Sequence, residues 1–161
     1  MFDVVVFLAC RTARPEGPRG AGASFRLPFT LEGVSYVYNF GDPSIEPPAV
    51  LGELCFYTRF FRRRGTAQTT RRFGLRIYAC NDDGSQVRVA YPSGATTAAP
   101  FDLGRVPFPA SQPVVSWAFV VRDLVLPRRG RYEFQLLVRR RKHRWQRPQW
   151  FHVASNHIIV E

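Results

Sequence analysis

Two runs of arginine carry most of the chemistry this chain has to offer. Arg62, Arg63 and Arg64 are followed by Arg71 and Arg72; Arg139, Arg140, Arg141 and Lys142 are followed by Arg144 and Arg147. A guanidinium holds its charge at any physiological pH and offers a planar fork of donors that matches phosphate and carboxylate. Trp145 lies inside the second run and Trp150 just beyond it, and an exposed aromatic ring can stack on a nucleobase. Such a combination suits a surface that holds an anion, a phosphate backbone above all. The plainer reading is two solvated loops, with Trp145 and Trp150 closing one end of a core.

Groups fit for catalysis are sparse. His143, His152 and His157 show neither an H-E-x-x-H spacing nor a Cys/His ligand pattern, so they do not describe a metal site. Asp82 and Asp83 stand beside Gly84, where they read as turn residues rather than paired carboxylates. Cys10 follows no histidine, and its only polarising neighbour in sequence is Arg11. There is no nucleophile elbow, phosphate-binding glycine loop or dinucleotide fingerprint. The expectation is a protein without catalysis or cofactor.

The charge balance points the same way as the arginine runs. The chain has 161 residues, 23 basic against 12 acidic, for a formal net charge of +11; Lys142 is its one lysine. Arginine in place of lysine leaves charge unchanged, so the surplus comes from the scarcity of acids and favours an acidic partner. Cys10, Cys55 and Cys80 are isolated, each within or at the end of an apolar run, and read as small hydrophobes in a reducing compartment. The apolar run from Val4 to Ala9 is too short for a secretory leader or a membrane span. It reads as a first strand, and the chain as cytoplasmic.

The elements that must position these groups are strands. Hydrophobic content is 45%, with 14 Phe, while 13 Pro and 12 Gly punctuate the whole length. Period-two alternation predicts strands over residues 2–9, 31–40, 51–61, 72–80, 85–91, 114–122 and 131–139, then 149–154 and 158–160. The first run is apolar on both faces and is expected to be buried on both. Asn81-Asp82-Asp83-Gly84 fits a tight hairpin. Residues 11–24, 41–48, 62–70 and 140–147 read as loops, the last two basic. Turn signals every 8–12 residues predict one all-β domain, an antiparallel β-sandwich of about seven to nine strands with long basic loops.

Residues 4–10, 33–38 and 54–60, and the run Leu126-Pro127-Arg128-Arg129-Gly130-Arg131-Tyr132-Glu133-Phe134, resemble the pattern of a family of small bacterial β-sandwich proteins known only as a domain of unknown function. The resemblance implies a sandwich in which the Tyr132 ring packs at an edge and its hydroxyl caps backbone. It implies no activity and transfers no site residue.

One weak strand, from Phe101 to Val106, decides how the arginine runs relate. If it is not a full crossing strand, both runs open at one end of the sandwich; if it is, they lie at opposite poles. Gly104 and Pro107 argue against a full-length strand, which favours one shared end. The sequence thus points to a module that docks a protein partner in a larger assembly through its loops or an edge strand. The alternative is an RNA- or DNA-binding accessory protein that uses the arginine loops. A carbohydrate- or lipid-binding sandwich rests on fold analogy alone.

Overall fold

Period-two alternation becomes extended chain throughout. The computed structural model describes residues 2–15, 29–32, 34–35, 37–38, 49–50, 52–63, 67–91, 99–141, 143 and 145–161, and among them there are thirteen strands and no helix. In chain order they are β1 (Phe2–Cys10), β2 (Thr12–Pro15), β3 (Phe29–Glu32), β4 (Val37–Tyr38), β5 (Ala49–Val50), β6 (Leu54–Arg62) and β7 (Thr69–Cys80). There follow β8 (Gln86–Val89), β9 (Phe101–Phe108), β10 (Val114–Val121), β11 (Val125–Leu126), β12 (Gly130–Arg140) and β13 (Gln149–Val160). Nine of them form two sheets. Sheet I has the order β1-β6-β10; sheet II has the order β4-β13-β12-β7, with β8 and β9 both paired to β7. All these pairings are antiparallel except the short parallel one between β13 and β4. The chain is all-β, and its two sheets face each other as a β-sandwich. The four remaining strands make two ribbons, β2 with β3 and β5 with β11.

The core lies between the inward residues of the two sheets. Phe56 and Phe60 of β6 meet Phe134 of β12 and Phe73 of β7, with ring centroids 5.0 Å apart in each pair. Phe2 stacks on Phe108 at 4.9 Å and Phe7 on Phe56 at 5.2 Å. Aromatic pairs at such offsets contribute about 0.5–1.5 kcal/mol each beyond the area they bury. The two sheets also meet at one side, where Asn156 Nδ2 of β13 donates to the Phe7 carbonyl of β1 at 3.2 Å. Tyr132 is fully buried; its hydroxyl accepts from Arg128 N–H at 3.2 Å and donates to the Arg128 carbonyl, the backbone cap the tyrosine motif implies. The 81–84 hairpin is also present, closed by Asn81 N–H on the Ser85 carbonyl at 2.8 Å, with Gly84 at φ +82°.

Several expectations need correction. The first strand is not buried on both faces: Val5 is 62% exposed and Asp3 is exposed with it, on the side the pleat turns away from the core. The predicted second strand, 31–40, is represented by parts of β3 and β4, while Gly33 and residues 39–40 lie outside the described residues. Residues 12–15, read as loop, form β2. The last two runs are one continuous strand, β13, bulged opposite Leu136 and Leu137.

The weak strand is real, and it is longer than predicted. Gly104, at φ +92°, sits at the bulge where β9 and β7 slip register, and Pro107 lies on an edge strand, the place in a sheet that accommodates proline. Yet β9 does not reverse the chain relative to β8. Both run antiparallel to β7, β8 along Ile77–Cys80 and β9 along Thr69–Leu75, so together they make one crossing. The two arginine runs therefore share one end of the sandwich after all.

Candidate functional site

The cross-strand register sets out the outer face of sheet II row by row. At the end where the arginine runs meet, Arg105 of β9, Arg72 of β7, Arg139 of β12 and Trp150 of β13 lie side by side. The next row is Asp102, Gly74, Leu137 and His152; then come Arg76, Gln135 and Ser155, followed by Arg88, Tyr78, Glu133 and His157. These side chains point away from the core because their neighbours Phe73, Leu75, Ile77, Phe134, Leu136 and Val138 are buried. Much of the charge expected in loops is thus carried on strands, where pleat and register fix its direction.

The end row forms an open depression of about 380 Å³, lined by Thr70, Arg72, Arg105, Arg139 and Pro148. Asp102 is the carboxylate beside it. Arg72 Nε donates to Asp102 Oδ2 at 2.7 Å and Gly104 N–H donates to Oδ1 at 3.0 Å. The bond from Arg72 is the main cause holding this carboxyl below its usual range, with Arg139 adding to the effect. Trp150 reaches from β13 across β12: a Cβ added at Gly74 would stand 2.9 Å from its Cζ3 and 3.1 Å from its Cη2. The glycine makes room for the indole to lie along the sheet, with the Arg139 guanidinium 5.8 Å from its ring centroid.

The far rows are tied together by side-chain hydrogen bonds around Glu133 and Tyr78, though the buried Arg76 Nε has no partner among the described residues. Glu133 accepts from Gln86 Nε2 at 2.7 Å, Gln135 Nε2 at 3.0 Å and Ser155 Oγ at 2.5 Å. Burial pushes its carboxyl up, but the Ser155, Gln135 and Gln86 bonds and nearby His157 outweigh that and hold it below the usual range. His152 Nε2 lies 2.9 Å from Ser155 Oγ, whose proton is directed to Glu133. Burial works against ionisation of Tyr78, yet the Arg88 bond and Arg76 bring its phenol below the ordinary value.

Of the residues singled out in the sequence, those that are described separate into three groups. Arg71, Arg72, Arg139, Arg140 and Arg141 gather at the shared end and line its two depressions, the second of which opens between the sheets. Arg147 and Trp145 lie in the connection between β12 and β13; Trp145 is 80% exposed and stacks on His143 at 5.2 Å with the rings 7° apart. Arg62 and Arg63 have structural engagements. Arg62 is 5% exposed on the core side of β6, and its guanidinium donates to the Phe108 and Pro109 carbonyls. Arg63 pairs with Asp3 at 3.2 Å. Arg64, Lys142 and Arg144 lie outside the described residues. Arg105 and Gly74 were missed. The alternation of Arg105 with buried Val106 and Phe108 was a signal for the first, obscured by the flanking glycine and proline; nothing local marks the second.

The cysteines are free thiols, with Cys10 and Cys55 buried as cross-strand partners and Cys80 half-buried. The Cys55 thiol, rather than Arg11, holds Cys10 below its ordinary value; contact with Cys10 together with burial pushes Cys55 up. Among the described residues no three His, Cys, Asp or Glu side chains converge as metal ligands, and no helix is long and apolar enough to cross a membrane.

No family model, no curated protein and no solved structure matches the chain. What the site can do must be read from its own geometry. Guanidinium groups do not transfer protons at neutral pH. A row of them beside an indole has the chemistry to hold an anion with planar, stackable parts.

Proposed function

We propose that this protein is a non-enzymatic module that binds single-stranded nucleic acid across the outer face of sheet II, at its arginine end. The observation that carries this reading is the row Arg105, Arg72, Arg139, Trp150, in which three guanidiniums and an indole stand in register on adjacent strands. Adjacent strands lie about 4.8 Å apart, so this spacing lets successive phosphates and a base meet successive strands. The exposed Trp145–His143 stack at the same end offers a second aromatic surface. Base stacking on an aromatic ring is sequence-tolerant and contributes about 1–3 kcal/mol per base.

The test is fluorescence anisotropy with a labelled single-stranded RNA of about fifteen nucleotides, a length that spans one such site, over a range of salt concentrations. Contact with three or four phosphates predicts a log–log salt slope of about −2 to −3, from roughly −0.7 per contact. The double variant Arg105→Ala, Arg139→Ala should flatten that slope by about 1.4. No binding at low salt, or an unchanged slope in the double variant, overturns the reading. An Asp/Glu-rich peptide as competitor separates nucleic acid from the acidic protein segment that is the other candidate occupant. Peptide that binds more tightly than RNA would return the face to protein docking.

A further inference from the structure

The second depression lies on the other side of the same strand ends, where the sandwich opens between its sheets. Its volume is about 480 Å³, and among the described residues it is lined by Phe2, Arg71, Val138, Arg140, Arg141 and Val153. Phe2 belongs to sheet I; Val138 and Val153 belong to sheet II and, with Phe2, continue the core surface. The floor is therefore apolar and the rim is three arginines. None of these six described lining residues is acidic, so the rim they present is basic. The rim is also pre-shaped: Arg140 lies over Phe151 with its guanidinium carbon 4.5 Å from the ring centroid, which restricts its side-chain freedom before any ligand arrives.

We infer that this cavity binds a phosphomonoester carried on a nucleoside. A terminal phosphomonoester bears close to two negative charges at neutral pH, and guanidinium forks bind phosphate oxygens in pairs. An inorganic ion would leave the apolar floor uncovered, whereas a nucleoside covers it with a base while its phosphate meets the rim. A cavity of this size lies within the range that holds small organic ligands. The nucleoside phosphate comes from one of two sources, a free mononucleotide or the phosphorylated end of a strand. The second source rests on the proposed function above, because a strand lying across the Arg105–Arg72–Arg139 row needs only to turn over the ends of β7 and β12 to place its terminus here.

The test uses the full chain and four probes in titration calorimetry and anisotropy: adenosine 5′-monophosphate, adenosine, and one single-stranded RNA with either a 5′-phosphate or a 5′-hydroxyl. The expected result is binding of the monophosphate at least about tenfold tighter than adenosine, the size of one charge-assisted hydrogen bond. If strand ends enter the cavity, the phosphorylated RNA gains a similar factor over the hydroxyl form. Arg71→Gln with Arg140→Gln should abolish both preferences, and the charge-neutral Val153→Trp should abolish them by filling the floor. Thermal melts confirm that each variant is folded. Equal affinities for monophosphate and adenosine overturn the inference, as does a phosphate preference that survives in folded Val153→Trp. Monophosphate binding without any RNA binding would keep the cavity and discard the sheet-face reading. RNA binding with no phosphate preference in any probe would do the reverse.

Discussion

The two halves of the outer face of sheet II are built on the same four columns of strand and solve opposite problems. In the far half, Glu133 sits among Gln86, Gln135, Ser155 and His157, and Tyr78 takes the bond from Arg88. The Glu133 carboxylate is answered there by hydrogen bonds, and the Arg76 and Arg88 cations lie against the Tyr78 phenol, with Arg76 Nε buried and unpartnered among the described residues. In the near half, Asp102 answers Arg72, yet Arg105 and Arg139 stand beside it with no ion pair among the described residues. The difference teaches that net charge alone does not locate a site. A basic face becomes informative where its cations stand beside an open depression and an indole, and that point is the end row.

The largest effect that tests this contrast belongs to the far half. Glu133→Gln keeps the shape but removes the charge and sets an amide NH₂ against Gln86 at one oxygen position or against Gln135 and Ser155 at the other. The loss should be about 1.5–3 kcal/mol of stability, the range for charge-assisted hydrogen bonds, measured by urea denaturation, with RNA affinity unchanged. The pH dependence carries the same signature. The folded-state pKa of Glu133 is held below its unfolded value, so its contribution is complete above about pH 4.3. It is lost as pH falls through the folded pKa. The stability difference between wild type and Glu133→Gln should therefore shrink on acidification, and a constant difference would mean that the network is not ionic.

Much of this contrast was legible in the sequence, though not its position. The strands with clean alternation, β7, β10 and β12, were readable because a half-buried sheet imposes period two on the side chains. The Tyr132 cap and the 81–84 hairpin were readable because each needs specific residues at fixed offsets. What could not be read was register. That Arg72 lies between Arg105 and Arg139 depends on pairings between residues 30 or more positions apart. The two arginine runs share one end as expected, but not because β9 is short. Gly104 and Pro107 did not shorten the strand; they bulged it and placed it on an edge, and the chain direction did the rest. Arg62 misled for a related reason. A run of three arginines reads as surface, but strand parity turns the first one inward to the Phe108 and Pro109 carbonyls.

A smaller effect is expected from Gly74→Val, which sharpens the near half. The new side chain would collide with Trp150 and with the Phe101 carbonyl, 3.1 Å from the position of a Cβ. Overpacking of this kind costs about 1–3 kcal/mol. If Trp150 is a stacking surface, RNA affinity should fall by a further factor of about tenfold or more, from the loss of about 1–3 kcal/mol of stacking. The salt slope should stay the same, because no cation is lost. A change in slope without a change in affinity at low salt would show that Trp150 acts only by placing Arg139.

The smallest effect on stability, and the sharpest on the comparison itself, comes from pairing Arg105→Ala with Arg88→Ala. Both arginines are on strands that flank β7 and both point outward, so simple electrostatics assigns them equal weight. Their surroundings differ. Arg88 Nη2 donates to Tyr78 Oη at 3.4 Å and its guanidinium carbon lies 5.8 Å from that ring centroid. Arg105 is exposed at the rim of the end depression. Arg105→Ala should change stability by no more than about 0.5 kcal/mol, as exposed substitutions do, while flattening the RNA salt slope by about 0.7. Arg88→Ala should leave that slope where it is, since its cation is already engaged with Tyr78 and lies rows away from the aromatic end. Equal flattening by the two variants would mean that RNA covers the whole face, and the division into a hydrogen-bonded half and an open half would then describe the free protein without describing its function.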